Sequence, residues 1–179
     1  VELLASLPSV VIGFFGMVIA GPFLQEFFGI PVGVNLFNAS LMLAFMSIPT
    51  ICTISEDAIR SVPVSMREAS LALGATRLET ILKVVFPASL SGISTAVILG
   101  MSRAIGETMA VIMIAGNSTI IPHSLLDSVR TLTGNIVIEM SYAEGLHYDA
   151  LIGTGVVLFV FILLLNLCFN LVTNRKDKG

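Results

Sequence analysis

Apolar residues fall into four long blocks separated by polar stretches, and each block is long enough to cross a bilayer as a helix. The blocks run over about 3–23, 36–55, 89–115 and 150–172, each reaching or exceeding the ~18 apolar residues that mark a transmembrane helix. Between the first two, Pro22, Gly29, Pro31 and Gly33 break helical pattern and predict a turn. Pro49 lies inside the second block and predicts a kink, with Thr50, Thr53 and Ser55 near enough to satisfy freed carbonyls. The third block carries Gly92, Ser94, Ala96, Gly100, Ser102, Ala104 and Gly106. Such a density of small residues predicts a central helix with close neighbours. The fourth block is the most lipid-like and ends in Arg175, Lys176 and Lys178.

The polar stretch over 56–88 has a different character. Arg60, Arg67, Arg77 and Lys83 alternate with Glu56, Asp57, Glu68 and Glu79. Pro63 suits a helix start, and good helix formers follow from Met66 to Ala72. Gly74 then interrupts, and Thr76 with Glu79 three positions on forms a capping box. The prediction is helix, glycine turn, helix, lying outside the lipid.

The composition agrees with a membrane protein: 55% of the 179 residues are hydrophobic and 12% charged, about half the ~25% charged of an average globular chain. Lipid in place of water over much of the surface accounts for that deficit. A net charge of −3 points to no nucleic acid. Cys52 and Cys168 both lie in apolar runs and read as free thiols. His123 and His147 are isolated and lack ligand spacing, so no metal site is expected. The Asn38 and Asn117 glycosylation sequons are read as chance. The chain begins at Val1 without a basic stretch before the apolar run, and reads as a fragment rather than a signal peptide. Basic residues also set orientation. Four lie in 56–88 and three in the tail, against Arg130 alone in 116–149. The positive-inside rule therefore places the 56–88 loop and the C-terminus in the cytoplasm, and the 116–149 loop in the periplasm.

Within this frame the residues carry a resemblance. Glu68-Ala69-Ser70, then Gly74, then Val84, Phe86 and Pro87 resemble the EAA loop of ABC importer permeases, in which Glu-Ala-Ala and Gly precede Ile-x-Leu-Pro. Glu68, Ala69, Gly74 and Pro87 match in register, while Ser70, Val84 and Phe86 depart mildly. The run from Ser102 to Asn117 is similar to permease subunits of the bacterial phosphate-specific importer, and its Ala115-Gly116-Asn117 ending looks more like the PstC type than the PstA type.

The resemblance implies an all-α integral membrane protein. It would be a bundle of about four transmembrane helices, part of a six-helix permease whose earlier spans are missing. Glu68, Ala69, Ser70, Gly74 and Pro87 would couple it to a cytoplasmic ATPase subunit (PstB-like), which carries the ATP and magnesium; this chain would need no cofactor and catalyse nothing. The other implied partners are a second permease chain (PstA-like), a periplasmic phosphate-binding protein (PstS-like) and the lipid of the inner membrane.

Arg103 and Glu107 are the candidate substrate path. Spaced i, i+4, they are expected on one helix face, where the arginine attracts the anion and the glutamate tempers it; a structural ion pair is the alternative. Two other readings remain. A permease for sulfate or molybdate would carry the same EAA loop, and a membrane enzyme would need a catalytic set that no motif supplies.

Overall fold

The computed structural model describes residues 8–176, with side chains omitted at the distal end of the last helix. Seven helices follow one another. They are α1 (Ser9–Phe28), α2 (Leu36–Arg60), α3 (Val64–Ala72), α4 (Arg77–Gly106), α5 (Met109–Ile114), α6 (Leu132–Met140) and α7 (Leu146–Lys176). Among the described residues the β structure is one isolated bridge between Gly116 and Val129. Four helices are long and apolar enough to cross a membrane: α1, α2, α4 and the Leu146–Phe169 part of α7. Residues 3–7 of the expected first span, and Lys178 of the basic tail, lie outside the described residues.

The α2–α4 pair forms the spine. Gly92, Ala96 and Gly100 recur every four residues and therefore line one stripe of α4. A side chain at Gly92 would collide with Ala58, and one at Gly100 with Ile51, while Ala96 is fully buried. Small residues here let the two backbones approach, as the density of glycine and serine predicts. At the other end a core of Ala39, Met42, Val111, Ile114 and Ala115 joins α1, α2 and α5, with Ile12, Ala20 and Leu43 packed on it.

Two helices contain a widened π turn. In α1 it covers Gly16–Ala20, and the Asn38 side chain donates to the Gly16 carbonyl at 2.9 Å and to the Gly33 carbonyl at 2.9 Å. A π turn disturbs the regular ladder of carbonyl partners, and a fully buried asparagine supplies a donor there. In α2 the helix runs through Pro49, and Thr53 donates to the Pro49 carbonyl at 2.9 Å. That is not the carbonyl that the proline ring leaves without a donor, which belongs to the preceding turn.

Several helix boundaries differ from the sequence expectation: α1 runs through Pro22 to Phe28, α2 extends to Arg60 and α7 begins at Leu146. The two differences that bear on the site are both on α4. It starts at Arg77 rather than near Ser89, so the second helix of the polar stretch and the third span are continuous. Thirty residues make a helix of ~45 Å at 1.5 Å per residue, longer than the ~30 Å hydrocarbon core, so one end must protrude. The helix also stops at Gly106, and the backbone at Glu107 is extended (φ −67°, ψ 131°) before α5 begins.

Candidate functional site: a broken helix and an exposed helix pair

At one end of the spine α3 and the start of α4 form the helix pair that the polar stretch predicts. No residue of α3 is buried. Gly74 closes the helix with φ +87°, and the Ala75 amide donates to the Ser70 carbonyl at 3.2 Å, a left-handed C-terminal stop that glycine adopts without strain. Thr76 and Glu79 complete the capping box: Thr76 Oγ1 accepts from the Glu79 amide, and the Glu79 carboxylate accepts from the Thr76 amide at 2.9 Å.

The helix pair is braced from within. The Ser70 and Thr80 hydroxyls lie 3.0 Å apart, and Arg67 donates to the Ile59 carbonyl at the end of α2 at 2.7 Å. Glu68 and Ala69 face outward, surrounded by exposed Val64, Met66, Leu71, Leu73 and Leu78. Leu73, at 90% exposed, is an apolar side chain with nothing over it. Pro87 lies further up α4, just beyond its π turn at Ile81–Val85. There the widened turn accommodates a residue with no N–H to donate. Glu68, Ala69, Ser70 and Gly74 thus share one exposed knuckle, and Pro87 marks where the helix leaves it.

Arg103 and Glu107 lie elsewhere, and their expected relation is corrected. Gly100 packs on Ile51, near the middle of α2, so Arg103 one turn on is close to mid-depth of the bundle. The helix ends before Glu107, which removes the common helix face that i, i+4 spacing requires. Among the described residues no ion pair joins the two. Arg103 is exposed on the surface of this chain. Glu107 Oε1 instead accepts from the Ala110 amide at 3.3 Å, capping α5. Its backbone carbonyl accepts the Thr133 hydroxyl at 3.2 Å.

That contact shows a further difference. The stretch over 116–149 is not simply a solvated loop, because α6 packs into the bundle with Thr133 and Gly134 buried. Arg130 lies beside it, donating to Glu139 at 2.6 Å, to the Asn117 carbonyl at 3.0 Å and to Asn135 at 3.4 Å. His147 Nε2 is 3.4 Å from the other Glu139 oxygen. The Tyr142 hydroxyl, then Arg130 and His147, hold the Glu139 carboxyl below its usual range against the opposing effect of burial. Nothing in the sequence paired these residues; the nine-residue separation of Arg130 and Glu139 spans a loop and a helix. Likewise Ser102 donates to Asn166 Oδ1 at 2.9 Å, tying α4 to α7 beside Arg103. An asparagine in an apolar block was the available signal.

Known proteins share this sequence and architecture. The chain is 41% identical over 178 residues to the probable ABC transporter permease protein YqgH of Bacillus subtilis, covering 98% of this chain and 58% of the relative. It is 34% identical over 197 residues to the phosphate transport system permease protein PstC of Haemophilus influenzae, covering 99% and 62%. The chain thus spans about three-fifths of the length of these curated relatives. An inward-facing structure of the MetNI methionine ABC transporter shares the fold, with TM-score 0.71 and 20% identity over 98% of this chain and 71% of that one. The family model for the binding-protein-dependent transport system inner membrane component matches residues 1–179, and the chain belongs to that family.

Proposed function

We propose that this chain is part of a non-catalytic permease subunit that passes inorganic phosphate across the inner membrane, driven by a separate ATPase. The observation that carries the substrate path is Arg103, exposed at mid-depth one turn before a break in α4. An arginine at the bilayer centre costs roughly 2.5–3.5 kcal/mol by insertion scales. Irregular backbone at such depth is tolerated where it meets protein or a wet cavity. With no ion pair to it among the described residues, the guanidinium is left to be compensated by groups beyond them. A second permease chain across a hydrated path supplies such groups, and a planar fork suits an oxyanion. The similarity to PstC proteins, permeases of phosphate transport systems, favours phosphate.

In this reading the α3 knuckle faces the cytoplasm and docks on the ATPase, with Glu68 on the partner's polar groups and Leu73 in an apolar socket. ATP-driven closure moves the knuckle, and the continuous α4 carries that movement to the break at Glu107. A periplasmic binding protein delivers the anion on the α6 side. The whole transporter in proteoliposomes, offered radiolabelled phosphate, sulfate and molybdate in competition, tests the substrate. Phosphate uptake indifferent to the other two supports the reading. ATP-driven sulfate or molybdate uptake without phosphate uptake replaces it with the other-oxyanion alternative.

A further inference from the structure

Arg130 borders two cavities. One, of about 420 Å³, includes Ser118, Thr119, Pro122 and Asn135 in its lining. The other, of about 340 Å³, reaches Ile105, Thr133 and Phe161. Thr131 and Leu132 also line both, so these three residues form the partition. Either cavity has room for a small oxyanion with attendant waters, each water occupying about 30 Å³ in the liquid. The second lies against Ile105, between Arg103 and Glu107 in sequence, and Thr133 connects its wall to the Glu107 carbonyl.

The Arg130 side chain at this partition is 21% exposed, and one nitrogen of its fork, Nη1, donates to Glu139 Oε1 at 2.6 Å. Carboxylates and tetrahedral oxyanions present similar oxygen pairs to arginine, so one can replace the other. What makes replacement feasible here is that Glu139 has somewhere to remain. His147 Nε2 stands 3.4 Å from its Oε2. Losing Arg130 does not strand the carboxylate. Arg130 meanwhile keeps its Nε–H on the Asn117 carbonyl, so its stem stays in position while the fork changes partner.

We propose that Arg130 is an exchange site for a tetrahedral oxyanion between these two cavities, the anion displacing Glu139 from the guanidinium. The site rests on the phosphate-permease reading for its ligand, and adds a stage that the Arg103 site does not require. Glu139 sets the occupancy: it competes for the fork, so the anion is held weakly enough to move on.

The test uses the purified complete transporter carrying Arg103→Gln, so that binding at the mid-depth arginine does not contribute. Inorganic phosphate is titrated at constant ionic strength, with chloride as control, and the unfolding midpoint is followed. Phosphate should raise the midpoint saturably. Glu139→Gln, which removes the competing negative charge, should lower the half-saturating concentration about tenfold, and Arg130→Gln should remove the effect. Arg130→Lys keeps the charge without the fork and should weaken it, which covers the case in which the glutamine variant fails to assemble. On the wild-type Arg103 background, Glu139→Gln should lower KM and kcat together. A phosphate response that is absent from the parent complex, or unchanged by Glu139→Gln and Arg130→Lys, overturns the proposal. An Arg130-dependent response to sulfate in place of phosphate leaves the site standing and removes the phosphate assignment instead.

Discussion

Thr133 donates its hydroxyl proton to the backbone carbonyl of Glu107, 3.2 Å away and 26 positions earlier in the chain. This bond fastens a helix of the 116–149 stretch to the break in a spanning helix. The Glu107 carbonyl has lost its helical partner because α4 stops at Gly106, and Thr133, itself buried, replaces it. Replacing Thr133 with valine leaves that acceptor unpaired, at an expected cost of about 1–3 kcal/mol. Thr133→Ser should restore the bond. Thermal unfolding of the assembled transporter should order the three as wild type, serine, valine; valine indistinguishable from wild type would show that water serves the carbonyl equally well.

The same geometry sharpens the test of the charged pair. Glutamine at Glu107 retains an oxygen able to cap the Ala110 amide, so Glu107→Gln removes charge while sparing the cap. Arg103 has no described partner to lose. Both Arg103→Gln and Glu107→Gln should therefore assemble and bind ATP normally, yet reduce phosphate uptake at least tenfold. Wild-type uptake by both would leave the proposed path without its charges.

Gly74 combines φ +87° with open space around the position a side chain would take. Crowding is absent, so any effect of substitution comes from backbone strain, about 1–2 kcal/mol for a β-branched residue in the left-handed region. Gly74→Val should shift α3 relative to α4 and lower phosphate transported per ATP hydrolysed, with assembly preserved. A wild-type ratio would exempt this turn from coupling.

Glu139 carries a pH expectation. Its carboxyl lies below the ordinary value of 4.5 in the folded chain, through the Tyr142 hydroxyl first and then Arg130. A lowered folded value means that stability is present above the unfolded value and is lost as pH falls through the folded one. Amide exchange of α6 should thus be level in its protection from neutral pH to about 4.5 and rise below it. Glu139→Gln should remove that acid-induced loosening. Loosening that begins well above pH 4.5 would overturn the assignment to Glu139.

Topology can be read with a single cysteine. Ser128 is half-buried and donates to the Val34 carbonyl at 2.8 Å, so it is a poor reporter. Ile121 is 78% exposed on the same stretch. In a background lacking Cys52 and Cys168, Ile121→Cys should react with an impermeant maleimide added to cells with a permeabilised outer membrane. Labelling only after the inner membrane is opened would invert the orientation.

The four apolar blocks, the glycine turn at Gly74 and the Thr76–Glu79 capping box were all legible in the sequence. Each depends on interactions within a few residues or on the solvent that a whole block prefers, and local pattern encodes both. The small-residue stripe of α4 was legible as a close-packed surface, though not that Ala58 and Ile51 of α2 fill it. Tertiary structure decided the rest. Spacing of i, i+4 promises a shared face only while the helix continues, and Gly106 does not by itself mark the stop, because Gly92 and Gly100 lie within the same helix. The extended turn persists because Thr133 and the Ala110 amide satisfy its polar groups. The Arg130–Glu139–His147 cluster likewise forms only when α6 folds back into the bundle beside α7. Local propensity placed the spans; partners distant in sequence determined where a span breaks and which charges meet.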